Sequence, residues 1–280
     1  MKTFGKLTVG LMAALPLMLG SCTLSEPSAA DGAADQYLLS SVSTFGIPVF
    51  KFSYDAQGRL VEATISNDAT YTLEYSGNNR IPDSMMIEEY EEDEVWDENK
   101  DEWKEVSYMS SRITYSQIKG DESTGRITSW AVHDESFNYD GVNSVVENYT
   151  TTFTYDAAGH LTRESDSDGE WSAYDWQGGD LVRGYDDDTT SETATIAYTD
   201  VENITGQWPL ELEFFGPLGN TGFFGTAPKH FPKSMTWHQS GNETDTKYLA
   251  YSLQKNGLIH YVKYTEDGET ITETYNYVKK

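Results

Sequence analysis

Carboxylates, imidazoles, thiols and aromatic rings carry most side-chain chemistry, and this sequence supplies them unevenly: 46 Asp and Glu, five His, one Cys and seven Trp among 280 residues. So many acids furnish any number of candidates for the carboxylate pair of a glycoside hydrolase, whose members stand about 5 to 9 Å apart. No spacing along the chain singles one pair out. The histidines, His133, His160, His230, His238 and His260, share no ligand spacing with one another or with the cysteine, so no metal site is expected. The glycine patterns of the nucleophile elbow, the phosphate loop and the dinucleotide fold are missing, and no cofactor is implied.

Two stretches stand apart from the rest. The run EEYEEDEVWDENKDEWKEV, Glu88 to Val106, is a block of like charge that self-repels and stays solvated. Trp96 and Trp103 interrupt it. They either cover a sheet as part of a long acidic hairpin or act as rings on a protruding, ligand-binding arm. Within the run, DENKDE at Asp97 to Glu102 imitates the oxygen spacing of a calcium loop, but Glu102 occupies the glycine position and Tyr108 that of the bidentate acid. DSDGE at Asp166 to Glu170 and the triplet Asp186 to Asp188 read as solvated turns, with weak calcium binding as the alternative.

The second stretch, FFGPLGNTGFFGTAPKHFP from Phe214 to Pro232, contains four Gly, three Pro and five Phe. Long connections of this kind are usually functional. Phe223 and Phe224 either fold back as a plug that closes one end of a sheet or line an aromatic ligand loop with His230 as a polar contact.

What positions these residues is a β-framework. Apolar and aromatic side chains alternate at Tyr71, Leu73 and Tyr75; at Phe153 and Tyr155; at Ile196 and Tyr198; at Leu210, Leu212 and Phe214; and at Leu249, Tyr251 and Leu253. A period of two marks a strand with one buried face. Turn signals separate these windows (AQGR, SGNN, ESTG, AAGH, QGGD, QKNG), in which Gly or Asn takes the positive φ of a hairpin turn. No window of a dozen residues has helical periodicity. The aromatic before each turn recurs after 21 residues from Tyr54 to Tyr75 and from Tyr155 to Trp176, and after 22 from Trp176 to Tyr198. Two strands of about seven or eight residues and their turns fill such a period. Repetition at that period predicts about a dozen antiparallel strands sharing one core.

The best copies are KFSYDAQGRLVEAT (Lys51 to Thr64) and TFTYDAAGHLTRES (Thr152 to Ser165), with weaker ones at Ile113 to Trp130 and Leu249 to Tyr264. Their Asp55 and Asp156 stand where a carboxylate accepts turn N–H groups, so both acids are read as structural.

Ahead of the framework, Lys2 and Lys6 precede an apolar run from Leu7 to Leu19, too short to span a bilayer, and residues 1–21 read as a secretory signal. The run ends in LGSC, which resembles the lipobox of bacterial lipoproteins, and Cys22 is the sole cysteine. The resemblance makes Cys22 the lipidated N-terminus and the attachment to a membrane. Residues 22–36 are small and polar and read as a flexible tether, and residues 37–280 as a single all-β domain. Removing residues 1–21 takes two lysines and no acid, leaving 17 basic against 46 acidic residues, a balance of −29. Nucleic acid is therefore not expected as a partner. Charged and polar residues break both faces of many strands, which argues against a lipid-facing barrel wall.

FSYDAQGRL and FTYDAAGHL resemble the YD repeat of RHS-type proteins. With the lipobox, the YDWQGGDL unit at Tyr174 to Leu181 and the KHFPKSM segment, the chain resembles a family of Bacteroides-type cell-envelope lipoproteins of unknown function with degenerate YD repeats. The resemblance implies a large antiparallel β-meander, strongly curved or closed into a barrel-like sheet, held in the bacterial envelope by its lipid and facing the periplasm or the cell surface. It carries no catalytic residues. The triplets DSM and DTT resemble a short O-glycosylation motif of the same bacteria, with Ser84 and Thr189 as acceptors. The expected function is envelope binding or scaffolding, with a glycan or an envelope protein as partner and Trp96, Trp103, Phe223, Phe224 and His230 as contacts. Polysaccharide hydrolysis by a carboxylate pair is the alternative, and a purely structural surface protein a third.

Overall fold

The computed structural model describes residues 37–97, 102–138, 141, 143–187, 193–212, 214–238, 244–266 and 268–280. The signal, Cys22, the tether and Thr189 lie outside them. The chain runs through β1 (Tyr37–Thr44), β2 (Ile47–Tyr54), β3 (Leu60–Ile65) and β4 (Ala69–Glu74), then four longer strands, β5 (Ser84–Asp97), β6 (Glu102–Asp121), β7 (Arg126–Phe137) and β8 (Asn143–Tyr155). Next come β9 (Leu161–Asp166), β10 (Trp171–Gln177), β11 (Asp180–Asp186) and β12 (Thr193–Glu202). A long connection leads to β13 (His230–His238), β14 (Thr244–Tyr248), β15 (Ala250–Leu253), β16 (Ile259–Glu266) and β17 (Glu269–Lys279).

Apart from β14 and β15, each strand pairs antiparallel with its successor, and β17 returns to pair with β1, Tyr37 opposite Lys279 and Thr44 opposite Glu273. The strands β14 and β15 form one line of chain offset at Leu249, the first bonded to β13 and the second to β16. The result is the expected all-β meander, curved until its ends meet. Seventeen strands replace the expected dozen, in part because β14 and β15, of five and four residues, divide one line of chain.

Strict up-and-down order sorts the connections into two sets. Those joining β2–β3, β4–β5, β6–β7, β8–β9, β10–β11, β12–β13 and β15–β16 gather at one end with both termini, here called the corner end. The β5–β6 connection and the other reversals lie at the opposite, arm end, beyond which the long strands project. Inward-facing Val42, Ala63, Met85, Ile127, Leu161, Leu181, Met235, Ile259 and Val262 form the core nearest the corners. Full burial of such side chains contributes about 1.5–3 kcal/mol each. Their strand neighbours Lys51, Glu62, Arg163, Arg183, Lys233 and Lys263 are exposed. Among the described residues, these charged side chains interrupt the outward faces of their strands.

One stretch departs from its expected structure. Leu210, Leu212 and Phe214 alternate as a strand would, yet Leu210–Leu212 is a 3-10 turn, followed by a second over Gly216–Thr221. Pro209 in front and Gly216–Pro217 behind deprive this stretch of a regular ladder. The alternation records burial of both leucines, 5% and 1% exposed, inside the β12–β13 connection.

Candidate functional site

At the corner end the repeated motif explains itself. The Asp55 carboxylate accepts the Gln57 and Arg59 N–H groups at 2.9 and 3.0 Å and the Arg59 Nε at 2.7 Å. Asp156 does the same with the N–H groups of Ala158 and His160 and with His160 Nδ1, all at 2.9 Å. Burial pushes both acids up, but the bonds from Arg59 and from His160 outweigh it, and both carboxyls rest below their usual range. Gly58 and Gly159 complete the turns at φ of 77° and 89°. The turn-proximal aromatic reaches back to the preceding strand near its start: Tyr54 Oη to Leu39 O (2.8 Å), Tyr155 Oη to Ile127 O (2.6 Å), Trp176 Nε1 to Leu161 O (2.7 Å) and Tyr198 Oη to Leu181 O (2.8 Å). These bonds are the physical content of the sequence period. Asp55 and Asp156 are occupied in shaping turns, as expected.

The β12–β13 connection closes this end. Asn203 ties its base together, its N–H bonded to Lys229 O (2.7 Å) and its Nδ2 to Gln207 O (2.7 Å) and Pro228 O (3.0 Å). The Phe223 carbonyl receives the Ile127 N–H (3.0 Å) and the Tyr155 hydroxyl (2.9 Å), and the Thr226 N–H reaches Gly159 O (3.0 Å). Phe224 stacks on Phe215 at 4.4 Å and meets Trp130 edge-on at 6.1 Å. The segment is a plug. Phe223 and Phe224, named from sequence as ligand contacts, are core instead, at 2% and 6% exposure. His230 is engaged at the corner: its N–H and Nδ1 both bond Asp180, at 2.8 Å each, rebuilding the Asp156–His160 corner from residues fifty apart.

At the arm end β5 and β6 form the expected long acidic hairpin. Trp96 stands opposite Trp103 in its register, and Trp103 is 63% exposed, so it does not cover the sheet. Residues 98–101 of the DENKDE stretch lie outside the described residues. The Arg112 guanidinium, 2.9 Å from Glu88 Oε1, ties β6 to β5 at the base of the arm. Where the β3–β4 turn meets that base, an open trough of about 400 Å³ is lined by Ser66, Asn67, Ala69, Thr70, Tyr90, Glu92 and Ser107. Tyr90 is anchored there, its N–H bonded to Asp68 O at 2.7 Å. Burial, and then the Glu88 carboxylate, push its phenol upward, so it stays a protonated donor. Trp103 and Ser107 share a face of β6 about 13 Å apart.

The arrangement offers hydroxyls, an amide, a carboxylate and a phenol ring in one concavity. Of its lining, sequence reasoning had marked only the run that contains Tyr90 and Glu92, and had picked tryptophans from it.

Inside the barrel, Glu164 accepts the Tyr174 hydroxyl at 2.9 Å. Burial dominates and pushes its carboxyl above the usual range, with the Asp166 charge adding to the effect. Glu164 and Asp166 face the same way on β9, two residues apart. Among the described residues no group of three or more His, Cys, Asp and Glu is arranged to hold a metal ion.

No protein family matches the sequence, and no curated protein does. Among solved structures, the chain is similar to a porin-like protein from Bacteroides uniformis, with 16% identity and a TM-score of 0.41 over 86% of this chain and 96% of that one. It is similar to a porin-like protein from Bacteroides vulgatus at 10% identity and a TM-score of 0.37, over 85% and 97%. A third similarity is to the Tc holotoxin pore of Photorhabdus luminescens, at 12% identity and a TM-score of 0.21, covering 78% of this chain but 12% of that one.

Proposed function

We propose that the protein is a lipid-anchored binding module of the bacterial cell envelope and that its trough takes a polysaccharide. The observation that carries this reading is the trough's lining. A sugar presents an apolar ring face edged by hydroxyls, and the lining answers with the Tyr90 ring, the Asn67 amide, the Glu92 carboxylate and the hydroxyls of Ser66, Thr70 and Ser107. Trp103 extends the same surface up the arm, so a chain of several sugars engages both. The filled core and the corner bonds belong to a rigid support for that face.

The test is titration calorimetry of the full chain against a panel of envelope and dietary polysaccharides. At least one binds, and Tyr90→Ala weakens it tenfold or more while leaving the melting temperature within about 2 °C. Silence across the panel, or unchanged affinity in the variant, sinks the reading. Glu164 supplies a second one: a carboxyl that burial makes hold its proton more tightly than usual, beside Asp166, is the kind a glycosidase uses as its acid. Release of reducing ends that disappears in Glu164→Gln would establish hydrolysis in place of binding alone.

A further inference from the structure

The long strands β5–β8 outrun their neighbours at the arm end, which leaves two sheet edges there. The ladder between β4 and β5 stops at Glu89, and that between β8 and β9 at Thr151. Past those points, among the described residues, 91–97 of β5 are paired to β6 alone and 143–149 of β8 to β7 alone. Such an edge is a row of open N–H and C=O groups, and native chains commonly blunt it with charge.

Only one of the two edges is blunted in that way. On β5 the Tyr90 N–H bonds Asp68 O (2.7 Å), so the amides of Glu92 and Glu94 face the same open side. Glu91, Glu92, Asp93 and Glu94 are exposed in succession there, and the Asp93 carboxylate covers the Glu94 N–H at 2.8 Å. On β8 Thr150 sets the direction: its N–H meets Ser167 Oγ (3.1 Å), and its carbonyl accepts the Ser167 N–H (2.9 Å). The amides of Asn148 and Val146, two and four residues on, face the same way past the end of the β9–β10 turn. Val145 and Val146, 50% and 49% exposed, lie beside them on opposite faces, and Glu147 is the one charged residue of 143–149.

We propose that the arm edge of β8 is a strand-addition site that takes an extended, cationic segment of a partner protein. Main-chain bonds along about 20 Å of edge supply the affinity, and side chains alternating to the two faces supply the selectivity. The sign of the partner follows from the arm. In the β7–β8 register Asp134 stands opposite Glu147, and Glu135 opposite Val146. A basic side chain on the added strand therefore has a carboxylate within reach on either face, while an apolar one packs on Val145 or Val146. Lys104 and Arg112 are the fixed positive charges on the described arm, and Arg112 is already paired with Glu88. A second copy would bring these acids against their own kind. This site is separate from the trough and does not depend on what the trough binds.

The experiment titrates the full chain with a short fluorescent peptide of alternating Lys and Val, followed by anisotropy. The peptide binds, and in hydrogen exchange on the unaltered chain it protects the Val146 and Asn148 amides several-fold. Val146→Pro removes an open N–H while sparing the ladder to β7 and weakens binding tenfold or more. Glu94→Pro, on the edge that is already covered, changes it less than twofold. The same peptide N-methylated at alternate residues keeps its charge and fails to bind. Absence of binding at millimolar peptide, unchanged exchange at Val146 and Asn148, or equal binding of the N-methylated peptide overturns the proposal, the last by reducing the contact to charge alone. A dimer in sedimentation that Val146→Pro dissociates also overturns it, by giving the edge to a second copy.

Discussion

Gly225 is where the plug and the β8–β9 corner come closest, and Gly225→Ala measures what that contact is worth. A Cβ there would lie 2.1 Å from Gly159 O and 3.1 Å from the Tyr155 ring, on a backbone at φ +86°. The left-handed conformation alone costs a non-glycine residue about 1 kcal/mol. The clash is with backbone, which no rotamer relieves, so the plug must retreat by about an ångström. Retreat sacrifices the Thr226 N–H bond to Gly159 O and strains that of Tyr155 to Phe223 O, at about 1–3 kcal/mol for buried partners left unmade. The expected total is about 2–4 kcal/mol, which for a domain of this size lowers the melting temperature by roughly 4–16 °C. Gly46→Ala is the control: its φ is +80°, yet nothing lies within 4 Å of the added methyl. It bears only the conformational cost, about 2–4 °C. Both variants are melted by near-ultraviolet circular dichroism. Equal losses in the two would show that the plug is not pressed against the corner and would refute the account of how this end is closed.

Tyr155→Phe keeps the ring and removes a hydroxyl that lies within bonding distance of two carbonyls, so its urea midpoint falls by an amount equivalent to about 1–2 kcal/mol. For Glu164 the folded carboxyl holds its proton more tightly than the unfolded one. Its penalty is absent below about pH 4.5 and builds as pH rises through the folded value, so Glu164→Gln shows a smaller loss of stability than the parent between pH 4 and 8 in urea titrations. Asp55 and Asp156 are shifted the other way. Their support is present above the ordinary carboxylate value and is lost as pH falls through the folded one, and Asp156→Asn blunts the acid limb of the same titration.

The hairpin rhythm was open to reading because its cause is local. Tyr155, Asp156 and Gly159 act within one turn and on the strand just before it, so their spacing repeats wherever a corner does. The plug was legible as a density of Phe, Gly and Pro, though Leu210 and Leu212 imitated a strand, since burial on one side and burial on all sides leave the same alternation in so short a window. The role of His230 was hidden because its partner, Asp180, lies two strands and a plug away. The trough was hidden for a like reason. Asn67, Tyr90 and Ser107 come from three elements and are ordinary residues for a turn and two strands, and only the register of β5 on β6 and the β3–β4 turn beside them make a concavity of them.

The seam between β1 and β17 governs how such a molecule can be made. Tyr37 finds its neighbour only when Lys279 exists, so a chain that emerges N-terminus first stays an open ribbon until its last eleven-residue strand arrives. Until then two strand edges offer unpaired N–H and C=O groups to any passing segment. Closure joins the most distant parts of the sequence, the kind of pairing whose loop-closure entropy slows folding. A nascent chain cut short by β17 would therefore present itself to the cell as a template for aggregation, whereas joining the two ends at the seam and opening the β9–β10 turn instead would preserve every neighbour.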